Sequence, residues 1–275
     1  MAMEALRIGV LNLMHDKEAT RRRFTRVLEQ PGLPVKLTFF YPVTHYTGRP
    51  VPEAVAKIAR PLDLELAAQM DGFIITGAPI ENLPFDQVEY FAEVCDLIDV
   101  LNRARVFQLY VCWGAMVAAN YLYGVEKHRL AKKYFGVFEN QVVAPDPLLV
   151  GLEPNFLAPH ARYAELNEGE LAPEMVVTAR SSEGYLLAAR ATAYQSFLFA
   201  HLEYGQNALL EEYQREVAAH PTRHYQKPVH YFKDEGRMQG PQGPEFRWRA
   251  TQQRYFANWL NLVATKRLLG VCKVS

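Results

Sequence analysis

Cys112 is the side chain best placed in the sequence for nucleophilic chemistry. It follows the apolar run 106–110 (VFQLY), which has the length and composition of a short buried strand, and it precedes Trp113, Gly114 and Ala115 at the start of an apolar helix. A strand-to-helix turn puts the thiol at the positive end of a helix dipole, which favours a thiolate and can hold an oxyanion. The pattern is typical of a nucleophile elbow, and a buried structural cysteine is the alternative.

A histidine and a carboxylate follow a second apolar run. Residues 197–200 (FLFA) are predicted to form a strand that ends at His201, and Glu203 comes two positions later. If extended geometry continues, both side chains point to the same side of the chain. A carboxylate beside an imidazole fixes its tautomer and stabilises the imidazolium. Since Cys112 and His201 both follow strand ends, where open parallel sheets form their ligand crevice, the sequence favours a Cys–His–Glu triad.

The elements that must position this triad alternate along the chain. Buried strands are predicted over four segments: residues 6–14, 34–41, 70–76 and 105–111. Helices are predicted between and after them, over residues 17–28, 87–101 and 114–123. Later segments are assigned to strands at 175–178, 185–187 and 196–200, to helices at 207–219 and 250–269, and to a polar loop at 221–246. This order predicts an α/β fold with an open, mostly parallel sheet and helices on both faces.

Composition argues against several classes of protein. The 275 residues carry 30 Lys+Arg against 30 Asp+Glu, so nothing favours binding to nucleic acid or to an anionic membrane. There is no apolar run of about 18 residues and no visible signal peptide. Three scattered cysteines fit neither a disulfide framework nor a zinc cluster, and Cys95 and Cys272 are assigned to packing. We expect a cytoplasmic protein of one domain over residues 1–275, without a bound metal.

Some further polar residues carry a weaker signal. His15, Asp16 and Lys17 follow the first predicted strand and by default form a solvated loop. Residues 76–81 (TGAPIE) follow the third strand, where backbone N–H groups could complete an oxyanion hole. Three histidines in the 221–246 region and just before it, His220, His224 and His230, lack the spacing of metal ligands and are assigned to a surface loop.

Six motifs, taken together and in order, resemble the MetA-type homoserine O-acyltransferase family. They are LNLM at 11–14, TGAP at 76–79, VCW at 111–113, FLAPH at 156–160, HLEY at 201–204 and NWLN at 258–261. The resemblance runs over nearly the whole chain, from about Leu6 to about Leu262. It implies a class I glutamine amidotransferase-like (flavodoxin-like) fold, a single acyltransferase domain and acyl-CoA as a co-substrate with no bound cofactor. It also implies a homodimer.

The resemblance assigns a role to each candidate residue. Cys112 would take the acyl group, His201 would be the general base with Glu203 as its partner, and the backbone near Trp113 and Ile80 would form the oxyanion hole. The substrate-binding positions of the family match Lys17, Lys133 and Arg215, with Arg215 gripping the amino-acid carboxylate. A guanidinium suits that task because it binds a carboxylate through two parallel hydrogen bonds.

Two positions bear on the substrates. The resemblance implies that family members with a glutamate at the position of Glu81 use acetyl-CoA, and that members with a glycine there use succinyl-CoA. A carboxylate at this position would repel the free carboxylate of the succinyl group. Ala161 stands where the family usually has a serine that helps to bind the acceptor, and the family's customary N-terminal extension is absent. Both departures suggest a divergent branch. The expected acceptor is L-homoserine, with L-serine as the alternative, because one methylene is worth only about 1–3 kcal/mol of discrimination.

Two other classes of function compete with acyl transfer. A glutamine amidotransferase or related Cys–His–Glu hydrolase would use the same scaffold, but those enzymes usually carry Gly-x-Cys-x-Gly at the elbow. Here the first of those positions is Tyr110, although Gly114 is present. A catalytically silent binding protein is disfavoured by the joint presence of the nucleophile, the base and the substrate-binding cations.

Overall fold

A single ten-stranded sheet forms the centre of the molecule in the computed structural model, which describes residues 4–29, 32–233 and 243–268. The strands are β1 (Leu6–Leu11), β2 (Val35–Tyr41), β3 (Arg60–Pro61), β4 (Gly72–Ile75), β5 (Phe107–Val111), β6 (Lys127–Val142), β7 (Phe156–Leu166), β8 (Val176–Ser181), β9 (Leu186–Arg190) and β10 (Gln195–Leu198). The α-helices of the described residues are α1 (Lys17–Leu28), α2 (Glu53–Ala56), α3 (Leu64–Ala68), α4 (Phe91–Arg103), α5 (Trp113–Tyr123), α6 (Ala208–Ala219) and α7 (Arg249–Leu268).

The parallel half of the sheet has the order β3-β2-β1-β4-β5-β10. Its central strands β4 and β5 are buried at every position, as continuous apolar runs are when helices cover both faces. Side chains of α4 and α5 pack into one apolar cluster, and those of α1 and α7 pack into another on the opposite face. The predicted α/β fold, with a mostly parallel open sheet between two helical layers, is confirmed.

The antiparallel half, β9-β8-β6-β7, contains the main difference from the sequence prediction. Strands β6 and β7 form a long hairpin over a region to which no element was assigned. The start of β6 (KHRLAKK) is charged, and its apolar residues do not alternate with polar ones. The reason is an interrupted register with β7: Arg129 pairs with Ala164, but Tyr134 pairs with Arg162. Residues 130–133 therefore bulge out opposite Tyr163 alone, and such bulges redirect side chains.

Smaller differences concern the boundaries of elements. The helix predicted from residue 87 begins only at Phe91, because residues 85–87 form a separate 3-10 turn. The described part of the predicted polar loop 221–246 contains neither helix nor named strand, but isolated bridges join Gly136 to Val229 and Phe232 to Pro244. Residues 234–242 of that loop, and Cys272, lie outside the described residues. Of the helices that the structure describes, none combines the length and apolar character needed to cross a bilayer.

Candidate active site

A cavity of about 920 Å³ opens where the strands of the parallel half end. Its walls come from the loops after β1, β4, β5 and β10, from the β6–β7 hairpin, and from α6 with the segment after it. The residues that line it are Met14, His15, Ala78, Pro79, Glu81, Asn82, Cys112, Arg129, Lys132, Lys133, Ala161, Tyr163, His201, Tyr204, Glu212, Arg215, Glu216, Ala219, His220, Arg223, His224, Tyr225 and Gln226. Most of the side chains predicted for the site therefore meet in one place.

Cys112 occupies a strained turn between β5 and α5. Its φ of 51° and ψ of −113° are unusual for a residue with a side chain, and such strain costs on the order of 1–3 kcal/mol. The turn is held because the Cys112 N–H donates to the carbonyl of Leu198 at 2.7 Å, while its own carbonyl accepts from Ala115 at 3.0 Å and Met116 at 3.1 Å. A larger residue does not fit at Gly114, since a Cβ there would lie 2.5 Å from the Ile75 carbonyl oxygen. The elbow predicted from the sequence is present.

His201 and Glu203 are buried beside the elbow. The Nδ1 atom of His201 lies 2.8 Å from Glu203 Oε1, which leaves Nε2 for the hydrogen bond to Cys112. Burial opposes the charged imidazolium, but the charges of Cys112 and Glu203 and the hydrogen bonds to them outweigh it and raise the pKa of His201 well above 6.5. The His201 N–H also donates to Pro159 at 2.9 Å, which ties the loop to β7. This geometry suits a thiolate–imidazolium pair.

The loop after β4 comes close to Cys112 at Gly77. A Cβ at this position would lie 3.2 Å from Cys112 Cβ and 3.4 Å from His201 Cε1, so glycine lets the backbone approach both groups without crowding Cys112. Trp113, the first residue of α5, has an N–H without an intrahelical partner. Ile80 packs against an apolar cluster between cavity-lining neighbours, and its carbonyl accepts from Leu83. The oxyanion-hole assignment of Trp113 and Ile80 stays a prediction.

The three predicted substrate-binding cations differ in their surroundings. Lys17 lies outside the cavity lining: its ammonium donates to the carbonyls of Asn12 at 2.9 Å and Met14 at 3.0 Å, and burial lowers its pKa to about 8. The Lys133 ammonium lines the cavity but is held between Glu212 at 2.5 Å and Glu216 at 2.8 Å.

Arg215 also lines the cavity, and within the described part of the chain no carboxylate forms an ion pair with it. Of the three predicted cations it is the one whose charge is available to a ligand. Lys17, in contrast, stabilises the loop that carries Met14 and His15 through hydrogen bonds to its carbonyls. Lys133 links α6 to the hairpin through its two ion pairs.

The two positions predicted to bear on the substrates, Glu81 and Ala161, both line the cavity. Burial raises the pKa of Glu81, and its Oε1 atom accepts from the backbone N–H of Tyr163 at 3.3 Å. Lys127 secures the same loop, since its ammonium donates to the carbonyls of Glu81 and Leu83. Ala161 presents only a methyl group from β7, so this position offers the ligand no hydrogen bond.

Several residues of the site had no predicted role. The ring of Tyr204 stacks on His201 with centroids 4.3 Å apart, and its hydroxyl donates to Glu212 at 2.9 Å. Glu212 and Glu216 are one turn apart on α6 and face the cavity with Arg215. The only sequence signal for them was the i, i+3, i+4 spacing on a predicted helix, which is also typical of a solvated face. Among the described residues no cluster suited to a metal ion occurs.

Comparison with known proteins gives both the fold and the family. Two solved structures of glutamine amidotransferases resemble the chain: one from Thermotoga maritima (TM-score 0.57, 11% identity, covering 97% of this chain and 99% of that one) and one from Methylobacillus flagellatus (0.55, 14%, 98% and 96%). At such identities the likeness shows the class I glutamine amidotransferase-like fold alone.

Sequence relatives are much closer. A protein of Lacticaseibacillus casei named serine O-acetyltransferase is 46% identical, over 97% of this chain and 98% of the relative. A protein of the same name from Lactobacillus acidophilus is 42% identical over 96% and 98%. A homoserine O-acetyltransferase of Bacillus subtilis is 35% identical over 93% of this chain and 84% of its own length.

The family model of homoserine O-succinyltransferase matches residues 1–268, which is nearly the entire chain. This match agrees with the order of the six motifs, with Cys112 and His201 in the cavity and with Glu203 buried beside His201. The chain therefore belongs to the homoserine O-succinyltransferase family and is an acyltransferase.

Proposed function

We propose that this protein is an acetyl-CoA-dependent L-serine O-acetyltransferase that works through an acetyl-Cys112 intermediate. The observation that carries the choice of acceptor is the pair of relatives named serine O-acetyltransferase, at 46% and 42% identity over almost the full length of both chains. The relatives named homoserine O-acetyltransferase are about 35% identical. This ranking favours L-serine, the alternative of the sequence analysis, over L-homoserine.

In the first half-reaction the Cys112 thiolate attacks the thioester carbonyl of acetyl-CoA. A bond forms between the cysteine sulfur and the acetyl carbon, and the bond between that carbon and the CoA sulfur breaks. The His201 imidazolium, whose pKa is raised by its two partners, gives its proton to the departing CoA sulfur. We assign N–H groups at the start of α5 and in the loop after β4 to the stabilisation of the tetrahedral oxyanion.

In the second half-reaction neutral His201 takes the proton of the serine hydroxyl as the oxygen attacks the acetyl carbon. The bond to the Cys112 sulfur then breaks, and the cysteine leaves as a thiolate beside the newly formed imidazolium. Glu203, 2.8 Å from Nδ1, stabilises that imidazolium and keeps Nε2 directed at the reacting atoms. The protein ends in its starting state, so the cycle is balanced.

The cavity wall opposite the nucleophile suits a zwitterionic amino acid. In the proposal the Arg215 guanidinium binds the α-carboxylate, and the carboxylates of α6 are placed to attract the α-ammonium. The Oε2 atom of Glu216 is buried without a hydrogen-bond partner in the structure, so it is free to accept one. Lys133 would act by fixing Glu212 and Glu216 at their positions.

Further parts of the proposal concern the donor and the setting. Glu81 beside the thioester site would exclude a succinyl group and admit an acetyl group. Acetyl-CoA and the free thiol that the mechanism needs both point to the cytoplasm, where thiols stay reduced. A homodimer, a single domain and the absence of a bound cofactor are carried over from the family resemblance.

The test measures CoA release from acetyl-CoA with L-serine and L-homoserine in parallel. We expect kcat/KM to be at least about tenfold higher for L-serine, within the range that one methylene allows. A preference for L-homoserine would overturn the choice of acceptor and keep the acyltransferase. Mass spectrometry of the intact protein after acetyl-CoA alone should show one acetyl group, which the Cys112→Ala variant should lack. If Cys112→Ala transferred acetyl groups as fast as the parent, the mechanism would be wrong.

A further inference from the structure

Three cations line the rim of the cavity and have no role in the proposed transfer: Arg129, Lys132 and Arg223. Each of them is exposed, whereas Cys112 and His201 at the floor of the same cavity are buried. Arg129 and Lys132 belong to β6 and Arg223 to the segment after α6, so two separate parts of the chain supply the group. The cavity thus has a buried nucleophile at one end and positive charge at the end open to solvent.

The backbone at Arg129 and Lys132 is shaped for this placement. The register between β6 and β7 breaks directly after Arg129, and Lys132 lies within the bulge 130–133. A bulge of this kind takes side chains out of the ladder alternation and redirects them, here toward the cavity. Arg129 also lines a neighbouring cavity that shares Glu81 and Asn82 with the main one, so it stands on the wall between the two.

The charges of these three residues are not neutralised by the described part of the protein. No hydrogen bond or ion pair of their side chains occurs among residues 4–29, 32–233 and 243–268. Lys133, the next residue in β6, differs sharply, because two glutamates hold its ammonium. A chain with no net charge therefore concentrates unpaired positive charge at the mouth of its active-site cavity.

We propose that Arg129, Lys132 and Arg223 bind the phosphate groups of the CoA donor. The inference rests on the proposed function in taking an acyl-CoA as the donor. Such a molecule must bring its thioester to the buried Cys112 while its diphosphate and 3′-phosphate stay at the solvent-exposed end of a long, uncharged arm. Arginine and lysine are the side chains that bind phosphate oxygens most strongly, through charge-assisted hydrogen bonds.

The first test separates phosphate recognition from chemistry by comparing two donors. Acetyl-CoA carries the phosphates, and S-acetyl-N-acetylcysteamine carries the same thioester without them. In the double variant Arg129→Gln/Lys132→Gln we expect the ratio of KM for acetyl-CoA to KM for the truncated donor to rise at least about tenfold, given the usual strength of hydrogen bonds to charged groups. The single variant Arg223→Gln should change the ratio in the same direction. Lys36→Gln, an exposed cation on β2 outside the cavity, is the matched control.

The second test needs no acyl transfer and so is independent of the proposed function. Calorimetric titration with adenosine 3′,5′-bisphosphate should show binding to the parent protein and to Lys36→Gln, weaker binding at higher salt, and at least about tenfold weaker binding to the double variant. Equal affinities in the parent and the double variant, or KM values that rise alike for both donors, would overturn the phosphate site. Failure of the parent to acetylate either amino acid, with intact bisphosphate binding, would overturn only the proposed function.

Discussion

Replacing Glu203 with glutamine tests the contact between Glu203 and His201 in the proposed triad. The carboxylate is buried, one oxygen lies 2.8 Å from His201 Nδ1, and the other has no hydrogen-bond partner in the structure. Glutamine has the same shape, so Glu203→Gln removes the negative charge while leaving no cavity. The variant therefore isolates the stabilisation of the imidazolium from the packing of the loop.

The size of the effect follows from the distance. Two opposite charges about 4 Å apart attract by roughly 4 kcal/mol at an effective dielectric of about 20. This attraction exists only when His201 is charged, which is the state reached as it takes the proton of the acceptor hydroxyl. If the transition state for deacylation gains most of that energy, its loss lowers kcat by about 10³-fold.

The assay is intact-protein mass spectrometry during turnover, combined with steady-state kinetics. Because CoA release precedes deacylation, we expect the Glu203→Gln protein to accumulate the acetyl form when acetyl-CoA and L-serine are both present. Glu153→Gln, an exposed carboxylate away from the cavity, should behave like the parent. A fall in kcat of less than about tenfold for Glu203→Gln would refute the assignment of Glu203 as the partner of the base.

The same variant has a stability signature with a defined sign. The folded protein raises the pKa of His201, so the pair contributes fully to stability below about pH 6.5, and that contribution is lost as the pH rises through the raised pKa. Urea unfolding should therefore show a larger deficit in the free energy of unfolding for Glu203→Gln at pH 6 than at pH 9. A deficit that is larger at pH 9 would contradict an ion pair between these side chains.

Three further predictions test other parts of the site. Glu81→Gly should open activity with succinyl-CoA, because it removes the cavity-lining carboxylate that we propose excludes a succinyl group. Parallel assays with both donors measure this, and an unchanged donor preference would contradict it. Arg215→Lys should raise KM for L-serine about tenfold with a smaller change in kcat, since a lysine cannot bind a carboxylate through two parallel hydrogen bonds. Equal KM values for the variant and the parent would show that Arg215 does not bind the acceptor. Gly114→Ala should lower the free energy of unfolding by about 1–3 kcal/mol, because the new Cβ would lie 2.5 Å from the Ile75 carbonyl oxygen. Denaturant titration measures the change, with Ala115→Gly as the comparison.

That Cys112, His201 and Glu203 lie together could be predicted from the sequence because their signals are local. A short apolar run, then Cys112 and then a helix with Gly114 describes the elbow within ten residues. His201 and Glu203 are two positions apart after a strand, and Glu203 needs no distant partner to reach the imidazole. The α/β fold was equally accessible, since strands buried on both faces read as continuous apolar runs such as β4 and β5.

The charged wall of the cavity could not be predicted in the same way. Lys133 looks like a solvated residue of a basic stretch, yet its ammonium is buried between two glutamates of α6, about 80 positions later in the chain. Pairing of that kind depends on the β6–β7 hairpin. The bulge in β6 removes the alternation of apolar and polar residues that would have indicated a strand. Lys17 is similar: its neighbours in the sequence do not show that its ammonium is used by the carbonyls of its own loop.

The proposed triad and Lys133 come from different halves of the sheet. Cys112 and His201 follow β5 and β10 of the parallel half, whereas Lys133 belongs to β6 of the antiparallel half. The side chains proposed at the acceptor site come from the β6–β7 hairpin and from α6, which Lys133 joins together. Glu81, proposed to choose the donor, follows β4 of the parallel half. A substitution in the hairpin or in α6 can therefore alter which hydroxyl approaches His201 without moving the Cys112 elbow, because the elbow is fixed by Leu198 and by the start of α5. On this division of labour, relatives that differ by one methylene in their acceptor should differ chiefly around Ala161, Arg215 and their neighbours, and not around the triad.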